Sequence, residues 1–326
     1  MPTQTLFKSR QYASDVDVPA ICDLLNRCDA VDKLDDNYDV ESLRVEFSSP
    51  DLDTARDLHL WEDEQGHLVG FGQVWIPKEG PGEDDVVHGF SYVRIDPEAR
   101  GNGLESSIMQ WAEERVREVG QERGLPAQLY GRTPDYDTYG RGIFEAQGMS
   151  IVRYGFRMRR DLSQPIPEPV FPEGYTLTHT QGIPDAEKWV ECFNQSFIDH
   201  WLHHPETVEG HAHWLTSPRY RKEHDLVAVT EDGTFAAFCF CGIDPEDNAR
   251  NNRKDGWIHI LGTRRGHRNK GLGTAMLRAG MLLMKQEGME YAKLGVDAEN
   301  PTGALRLYEA NGFVVDKTGI SYCKDL

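Results

Sequence analysis

Long apolar stretches are missing from the sequence, and so are the cysteine spacings of a disulfide or zinc framework. The longest apolar run, Phe235–Cys241, is far shorter than the roughly 20 residues that a membrane-spanning helix needs. The opening residues, Met1–Arg10, show no basic segment followed by an apolar one, which is the pattern of a secretory signal. The six cysteines show no Cys-x-x-Cys spacing. We therefore expect a reduced, cytoplasmic protein with no membrane partner.

Basic charge is also scarce. The chain carries 35 Lys and Arg against 54 Asp and Glu, a formal net charge of −19. Nucleic-acid binding depends on a basic footprint, so we expect no nucleic-acid partner. An acidic field attracts cationic molecules such as amines, although acidity can equally serve solubility alone.

An internal repeat organises the chain, whose 326 residues exceed the length at which a single hydrophobic core usually stops growing. Similar short segments recur 167, 168 and 164 positions apart, around Gly66 and Gly233, Gly103 and Gly271, and Gly148 and Gly312. The proline-rich stretch Asp161–Pro172 reads as an extended linker between the two copies. We predict a first domain over 1–164 and a second over 165–326.

The order of predicted elements is the same in both copies. A short strand and an amphipathic helix come first, two strands follow, and a third strand leads into a glycine-rich turn and a long helix. A further strand, a short helix and a last strand complete each copy. This order predicts an α+β fold with α/β layering, in which helices flank a mixed central sheet in each of two tandem domains.

The glycine-rich turn of the second copy carries the clearest chemical signal. Arg268, Gly271 and Gly273 have the spacing R-x-x-G-x-G between a strand and a helix. Glycines let a ligand approach the backbone, and the free N–H groups and dipole of the helix start favour an anion such as a diphosphate. Arg268 and Lys270 add positive charge. The same turn could also be a tight connection without a ligand.

A second motif follows at Leu294–Phe313, and the two together resemble the GCN5-related N-acetyltransferase (GNAT) superfamily. The matching positions are Arg268, Gly271 and Gly273, then Asn300, Ala304, Leu307, Tyr308, Gly312 and Phe313. Thr263 and Arg265 stand where the superfamily usually has Val and Pro. The resemblance covers 165–326 well and 1–160 as a weaker copy. The layout is similar to that of mycothiol synthases, which are two-copy members.

The resemblance implies that the second copy binds acetyl-CoA and needs no metal. Pantetheine is expected beside Leu261–Thr263 as an added strand, and the pyrophosphate on the amides of Arg268–Thr274. Tyr308 is expected to protonate the leaving thiolate, although it could instead be a core aromatic residue. The predicted cofactor-binding residues are Leu261, Gly262, Thr263, Arg268, Asn269, Lys270, Gly271, Leu272, Gly273, Thr274, Asn300, Ala304, Leu307 and Tyr308.

The first copy departs from these motifs at the positions that matter most. Glu105 stands where the second glycine of the turn belongs, and a carboxylate there competes with a diphosphate for the same amides. Tyr136 replaces the motif asparagine, and Phe144 replaces the motif tyrosine and has no proton to donate. We expect the first copy to be non-catalytic.

The general base is less clearly marked. Strand alternation predicts that Trp257, His259 and Leu261 share one face, and His259 is the first choice for the base. It could equally be a structural histidine, and Asp255, Asp199 and His200 are weaker alternatives.

The segment from Phe197 to Trp214 is rich in aromatic and histidine side chains and is expected to line the acceptor cleft. Its histidines at 203, 204, 211 and 213 lack the tight spacing of a zinc signature, so no metal is predicted. Mycothiol synthases usually carry an acidic residue near the position of Trp257, so that activity is not a direct expectation. The predicted acceptor-binding residues are His200, Trp201, Trp214 and Trp257.

We therefore expect an N-acetyltransferase that moves an acetyl group from acetyl-CoA to a primary amine, on a small molecule, by direct attack. A peptide or protein amine is the alternative acceptor, and a CoA-responsive binding module without turnover is the alternative class. The duplication predicts either a monomer that imitates a dimer within one chain or a homodimer.

Overall fold

A computed structural model describes residues 7–78 and 86–326, which form two compact units. The first unit runs up to Arg153 and includes Gly319–Leu326, and the second spans Tyr154–Thr318. Among the described residues, no helix is both long enough and apolar enough to cross a bilayer.

The first unit contains a mixed sheet in the order β1-β2-β3-β4-β5-β12, in which only the β4–β5 pairing is parallel. Its elements are β1 Lys8–Gln11, α1 Val18–Asp32, α2 Val40–Phe47, α3 Thr54–Asp57, β2 Leu58–Glu62, β3 Leu68–Trp75, β4 Val87–Ile95, α4 Leu104–Arg123, β5 Ala127–Pro134, α5 Thr138–Ala146, and parts of β6 Ser150–Asp161 and β12 Val314–Asp325.

The second unit repeats this arrangement in the order β7-β8-β9-β10-β11-β6, with β10 and β11 parallel. Its elements are β7 Tyr175–His179, α6 Ala186–Phe197, α7 Val208–Trp214, β8 Asp225–Thr230, β9 Phe235–Gly242, α8 Pro245–Arg250, β10 Asp255–Thr263, α9 Leu272–Gln286, β11 Tyr291–Asp297, α10 Ala304–Ala310, and the remaining parts of β6 and β12.

The last strand of each sheet comes from the other half of the chain. Residues 155–161 of β6 pair with β11 in the second unit, while residues 319–325 of β12 pair with β5 in the first. Each compact unit therefore contains a strand from the other half of the chain, and its boundaries differ from a simple division of the sequence into two halves.

Helices cover both faces of each sheet, as the predicted α+β fold with α/β layering requires, and this prediction is confirmed. In the second unit, α9 buries Leu272, Met276 and Met284 on one face, which is the spacing of an amphipathic helix. Gly280 lets α9 lie close to the sheet, since a Cβ there would come within 2.7 Å of the Cys239 sulfur. On the other face, α6 packs through Trp189.

Candidate active site

A wedge-shaped opening divides the sheet of the second unit. Strands β10 and β11 pair in parallel from Asp255 to Ile258 and from Tyr291 to Leu294, and their pairing ends there. Beyond that point β10 stays paired with β9 up to Thr263, and β11 stays paired with β6 up to Asp297. The backbone of Leu261, Gly262 and Thr263 therefore borders a cleft in which an extended ligand can pair as an added strand.

The glycine-rich turn lies at the end of this cleft. Gly271 has a left-handed backbone, φ 87°, and α9 begins at the next residue, so the amides of its first turn have no partner within the helix. A Cβ on Gly273 would lie 3.5 Å from the Leu307 side chain and 3.6 Å from the Thr263 hydroxyl. The structure thus brings three predicted cofactor residues together from β10, α9 and α10.

Polar side chains surround the turn. The Lys270 Nζ donates to the Tyr175 hydroxyl at 3.0 Å, and that hydroxyl lies 2.9 Å from Nδ1 of His267. The remaining predicted turn residues, Asn269, Leu272 and Thr274, occupy the turn and the first residues of α9. Tyr175 lies outside both motifs, and His267 occupies an unspecified position of the first motif, so the motifs gave no signal for either residue.

Tyr308 lies on α10 with 7% of its surface exposed and packs against Phe313 at a ring separation of 6.0 Å. Burial raises the pKa of its phenol, so the hydroxyl stays protonated at neutral pH. Among the described residues none makes a hydrogen bond to this hydroxyl. Ala304 and Leu307 pack in the same hydrophobic cluster as Tyr308 and Leu261. The Oδ1 of Asn300, just before α10, accepts from the Thr302 backbone N–H at 2.9 Å.

His259 lies at a β-bulge. Cys241 of β9 pairs with Ile258 and Phe240 pairs with Ile260, so His259 is the extra residue between them. The expectation that Leu261 shares a face with Trp257 and His259 is wrong, because the bulge shifts the alternation by one residue. Ile260 packs toward α6, and Leu261 packs with the α9 side of the sheet.

Two aromatic rings flank His259. Its imidazole stacks on Phe240 at 5.3 Å and faces Trp257 at 6.2 Å. A Cβ on Gly242 would come within 2.3 Å of its Nε2, so the ring fits only because residue 242 is a glycine. The side chain keeps contact with solvent, but its enclosure by protein lowers the pKa of the imidazole below 6.5. His259 is therefore neutral at pH 7.

The ring cluster continues toward α7. Trp214 packs edge-on against Phe240 at 4.8 Å, and His211 stacks between Trp189 at 3.9 Å and Trp214 at 5.9 Å. Burial lowers the pKa of His211 to about 4. We call Trp257, His259, Phe240, Trp214, His211 and Tyr220 the aromatic wall.

Sequence reasoning missed two members of the aromatic wall, while His211 lies in the segment that was expected to line the acceptor cleft. Phe240 and Tyr220 meet the predicted residues only after folding, and Tyr220 lies 6.0 Å from Phe240 and comes from a loop. Phe240 alone had a usable signal, because it lies on the strand that neighbours His259.

The structure joins Trp214 and Trp257 to the aromatic wall, whereas His200 and Trp201 lie in the segment after α6. His200 packs edge-on against Phe197 at 5.8 Å, and its Nδ1 lies 2.9 Å from the carbonyl of Trp201 in the segment after α6. Trp257 also has the Arg157 guanidinium 5.1 Å from its ring centre.

The two acidic alternatives for the base are held in ion pairs. Asp255 lies 2.5 Å from the Lys293 ammonium and is buried. Asp199 pairs with Arg265 and Arg268, and its hydrogen bond with Arg268 lowers its pKa. Within residues 7–78 and 86–326, no three His, Cys, Asp or Glu side chains are grouped closely enough to hold a metal ion.

The first unit has the same opening in its sheet, because β4 and β5 pair only from Val87 to Ser91 and from Ala127 to Gly131. The carboxylate of Glu105 accepts from the Gly101 backbone N–H at 2.7 Å and from the Tyr139 hydroxyl at 2.9 Å. These hydrogen bonds outweigh its partial burial and lower its pKa.

A cavity lies in that opening. The cavity measures about 30 Å³, room for one or two water molecules. Phe144, at the position of Tyr308, is 5% exposed and packs on Tyr322 at 5.3 Å.

Two mixed sheets, each opened beside a glycine-rich turn, define the class of acyl-CoA-dependent transferases. The model of the acetyltransferase (GNAT) family matches this chain twice, at residues 18–139 and 186–313, which is more than half of its length. The chain belongs to the GNAT family of acyltransferases, and the resemblance and the tandem arrangement predicted from the sequence are confirmed.

Curated relatives extend over most of the chain. It is 28% identical over 259 residues to a mycothiol acetyltransferase of Thermobispora bispora, covering 79% of this chain and 80% of the relative. It is 29% identical over 267 residues to a mycothiol acetyltransferase of Segniliparus rotundus, covering 80% and 92%. The crystal structure of a GCN5-related N-acetyltransferase from Sphaerobacter thermophilus matches with a TM-score of 0.71 at 24% identity, covering 99% of this chain and 96% of that one. This last likeness supports the fold.

Proposed function

We propose that the second unit transfers an acetyl group from acetyl-CoA to a primary amine of a small molecule. The proposal is supported by the open sheet and the glycine-rich turn, which meet beside Leu307 of α10, the helix that also carries Tyr308. In the first unit the corresponding turn is occupied by Glu105. One donor site per chain follows from this difference.

Donor binding rests on backbone groups. The pantetheine arm pairs with Leu261–Thr263, where β10 has lost its β11 neighbour. The diphosphate lies on the amides at the start of α9, whose dipole favours negative charge. The rest of the predicted cofactor set, from Asn300 to Tyr308, flanks the same arm.

Transfer proceeds by direct attack. The neutral amine nitrogen forms a bond to the thioester carbonyl carbon, and collapse of the tetrahedral intermediate breaks the carbon–sulfur bond. Tyr308 donates its proton to the departing sulfur and recovers one from solvent. The raised pKa of the phenol keeps that proton in place until charge develops on sulfur.

His259 is our choice for the group that takes the proton from the attacking amine, directly or through water. The bulge points its ring toward the aromatic wall, and its neutral state leaves one ring nitrogen free to accept. Its lowered pKa makes it a weak base, so it suits an amine that is already partly neutral in solution.

A small acceptor is supported by the ring-lined wall and by the name of the relatives, mycothiol acetyltransferase. A peptide amine remains the second choice, since Trp214 and Trp257 reach the surface. The position of Trp257 carries no carboxylate, so the relatives' own acceptor is one member of the test set and not our conclusion.

An acceptor screen with acetyl-CoA tests the proposal. The enzyme is incubated with acetyl-CoA and with amino sugars, amino-acid derivatives, thiol-bearing amines or short peptides. Acetylated products are detected by mass spectrometry. A mass readout is needed because a thiol-bearing acceptor would react with reagents that detect free CoA. Transfer to small amines that is lost in Tyr308→Phe supports the proposal. Transfer to peptides alone refutes the small acceptor. If acetyl-CoA binds and no acceptor is used, a binding module is favoured.

A further inference from the structure

The guanidinium of Arg268 points away from the anion-binding amides. Its Nη1 donates to Asp199 at 2.7 Å, its Nη2 to the Ser196 carbonyl at 2.8 Å, and its Nε to the Thr263 carbonyl at 3.2 Å. Ser196 is the next-to-last residue of α6, so its carbonyl lacks a partner within the helix. Arg268 therefore joins the end of α6 to the end of β10.

Asp199 fixes the position of the Arg268 guanidinium. It follows α6 by two residues and pairs with both Arg268 and Arg265. The Arg265 backbone N–H also donates to the Gln195 carbonyl at 3.3 Å. The turn that precedes α9 is thus fastened to the end of α6 at several points.

The first unit keeps the same fastening although its turn is occupied by a carboxylate. Arg100 donates to both oxygens of Asp32, at 2.8 and 2.6 Å, and its Nε donates to the Ile95 carbonyl at 3.3 Å. Arg100 and Asp32 occupy the positions of Arg268 and Asp199 in the repeat. A pair retained where Glu105 already fills the anion position does not depend on a phosphate.

We propose that the Arg268 guanidinium is not a ligand of the donor's diphosphate but a clamp that holds the turn in its binding shape, with Asp199 as its positioning residue. The inference rests on the proposed donor site, since it concerns the turn that would hold acetyl-CoA. Turning the guanidinium toward a phosphate would abandon Asp199 and the end of α6. The diphosphate is then bound by the amides, and the side chain only shapes them.

The two roles of Arg268 predict opposite effects of Asp199→Asn. If Arg268 were a phosphate ligand, removing its competing carboxylate would free its charge and tighten acetyl-CoA binding. If it is a clamp, the turn loosens and the dissociation constant rises by about 5-fold, as expected for the loss of a partly exposed charged contact. The measurement is isothermal titration calorimetry of acetyl-CoA with the full chain, which needs no acceptor.

Matched variants separate positioning from general damage. Asp32→Asn breaks the equivalent pair in the first unit and should lower the melting temperature without changing acetyl-CoA affinity. Asp199→Glu keeps the charge and should restore most of the affinity. Arg268→Lys keeps the positive charge but cannot reach three acceptors. If Arg268 is a clamp, this variant should bind acetyl-CoA more weakly; if Arg268 only supplies charge to the phosphates, its affinity should not change. That variant also decides the matter if Asp199→Asn unfolds at the assay temperature.

The outcomes separate the clamp from the donor site itself. Unchanged or tighter binding by Asp199→Asn or Arg268→Lys overturns the clamp and leaves the donor site standing. An equal loss of affinity in Asp32→Asn also overturns it, because the effect would then be global. Absence of acetyl-CoA binding by the wild-type protein overturns the proposed function, and the clamp with it.

Discussion

Installing the first unit's carboxylate in the second unit is the sharpest test of where the donor binds. Gly273 occupies the repeat position of Glu105, and its surroundings leave room for a Cβ at ordinary contact distance. Its backbone is helical, so Gly273→Glu introduces no backbone strain. The new carboxylate is expected to fold back onto the amides of the turn, as Glu105 does onto Gly101 at 2.7 Å.

The cost follows from the contacts of Glu105. A diphosphate must displace a charge-assisted hydrogen bond worth about 1.5–3 kcal/mol and a favourable helix-dipole interaction of about 0.3–1 kcal/mol. The total of about 2–4 kcal/mol corresponds to a loss of about 30- to 1000-fold in affinity. Since this carboxylate is partly exposed, we expect the lower end.

Calorimetry with acetyl-CoA measures both affinity and stoichiometry. We expect one site in the wild-type protein, affinity near wild type in Gly273→Ala, and strongly weakened binding in Gly273→Glu. Retained binding in Gly273→Glu would refute the role of the turn. Two equivalent sites in the wild type would show that Glu105 does not exclude the donor.

Three further predictions concern titration and chemistry. Enclosure by protein lowers the pKa of His259 to about 4, so the rising limb of kcat/KM is expected to be centred near pH 4, below the 6–8 window of an ordinary imidazole, and His259→Gln should remove that limb from the pH profile. Burial raises the pKa of Asp225 to about 7, so the folded state holds a proton that the unfolded state releases, and stability falls as pH rises from about 4 to 7; Asp225→Asn should flatten this slope in denaturant titrations. Tyr308→Phe should lower kcat by about 10²–10⁴-fold with nearly unchanged donor affinity and melting temperature, and retained turnover would show that Tyr308 only packs.

Local features of the site could be predicted from the sequence, and features that depend on pairing could not. The turn and its helix are contiguous, so spacing alone placed Gly271 and Gly273 at the start of α9. The bulge at His259 could not be predicted, since one extra residue leaves no mark in an alternating pattern and yet moves Leu261 to the other face. Phe240 and Tyr220 join His259 only through tertiary packing. The exchange of final strands depends on which sheet edge each strand pairs with. The proline-rich linker carries no information about that pairing, so the exchange could not be predicted from the sequence.

The bulge also distinguishes the second unit from the first. Strand β4 pairs with β3 without a register shift from Phe90 to Ile95, whereas the offset between corresponding residues rises from 167 at Trp257 to 168 at Thr263 across His259. His259 is therefore an extra residue with no counterpart in the first unit. In that unit the Glu105 carboxylate also occupies the Gly101 amide and Phe144 has no hydroxyl, yet the unit keeps the Arg100–Asp32 pair and the fold. These three differences lie at the turn, the third strand and the short helix, which are the elements that carry the proposed site in the second unit, whereas the sheet order is the same in both units.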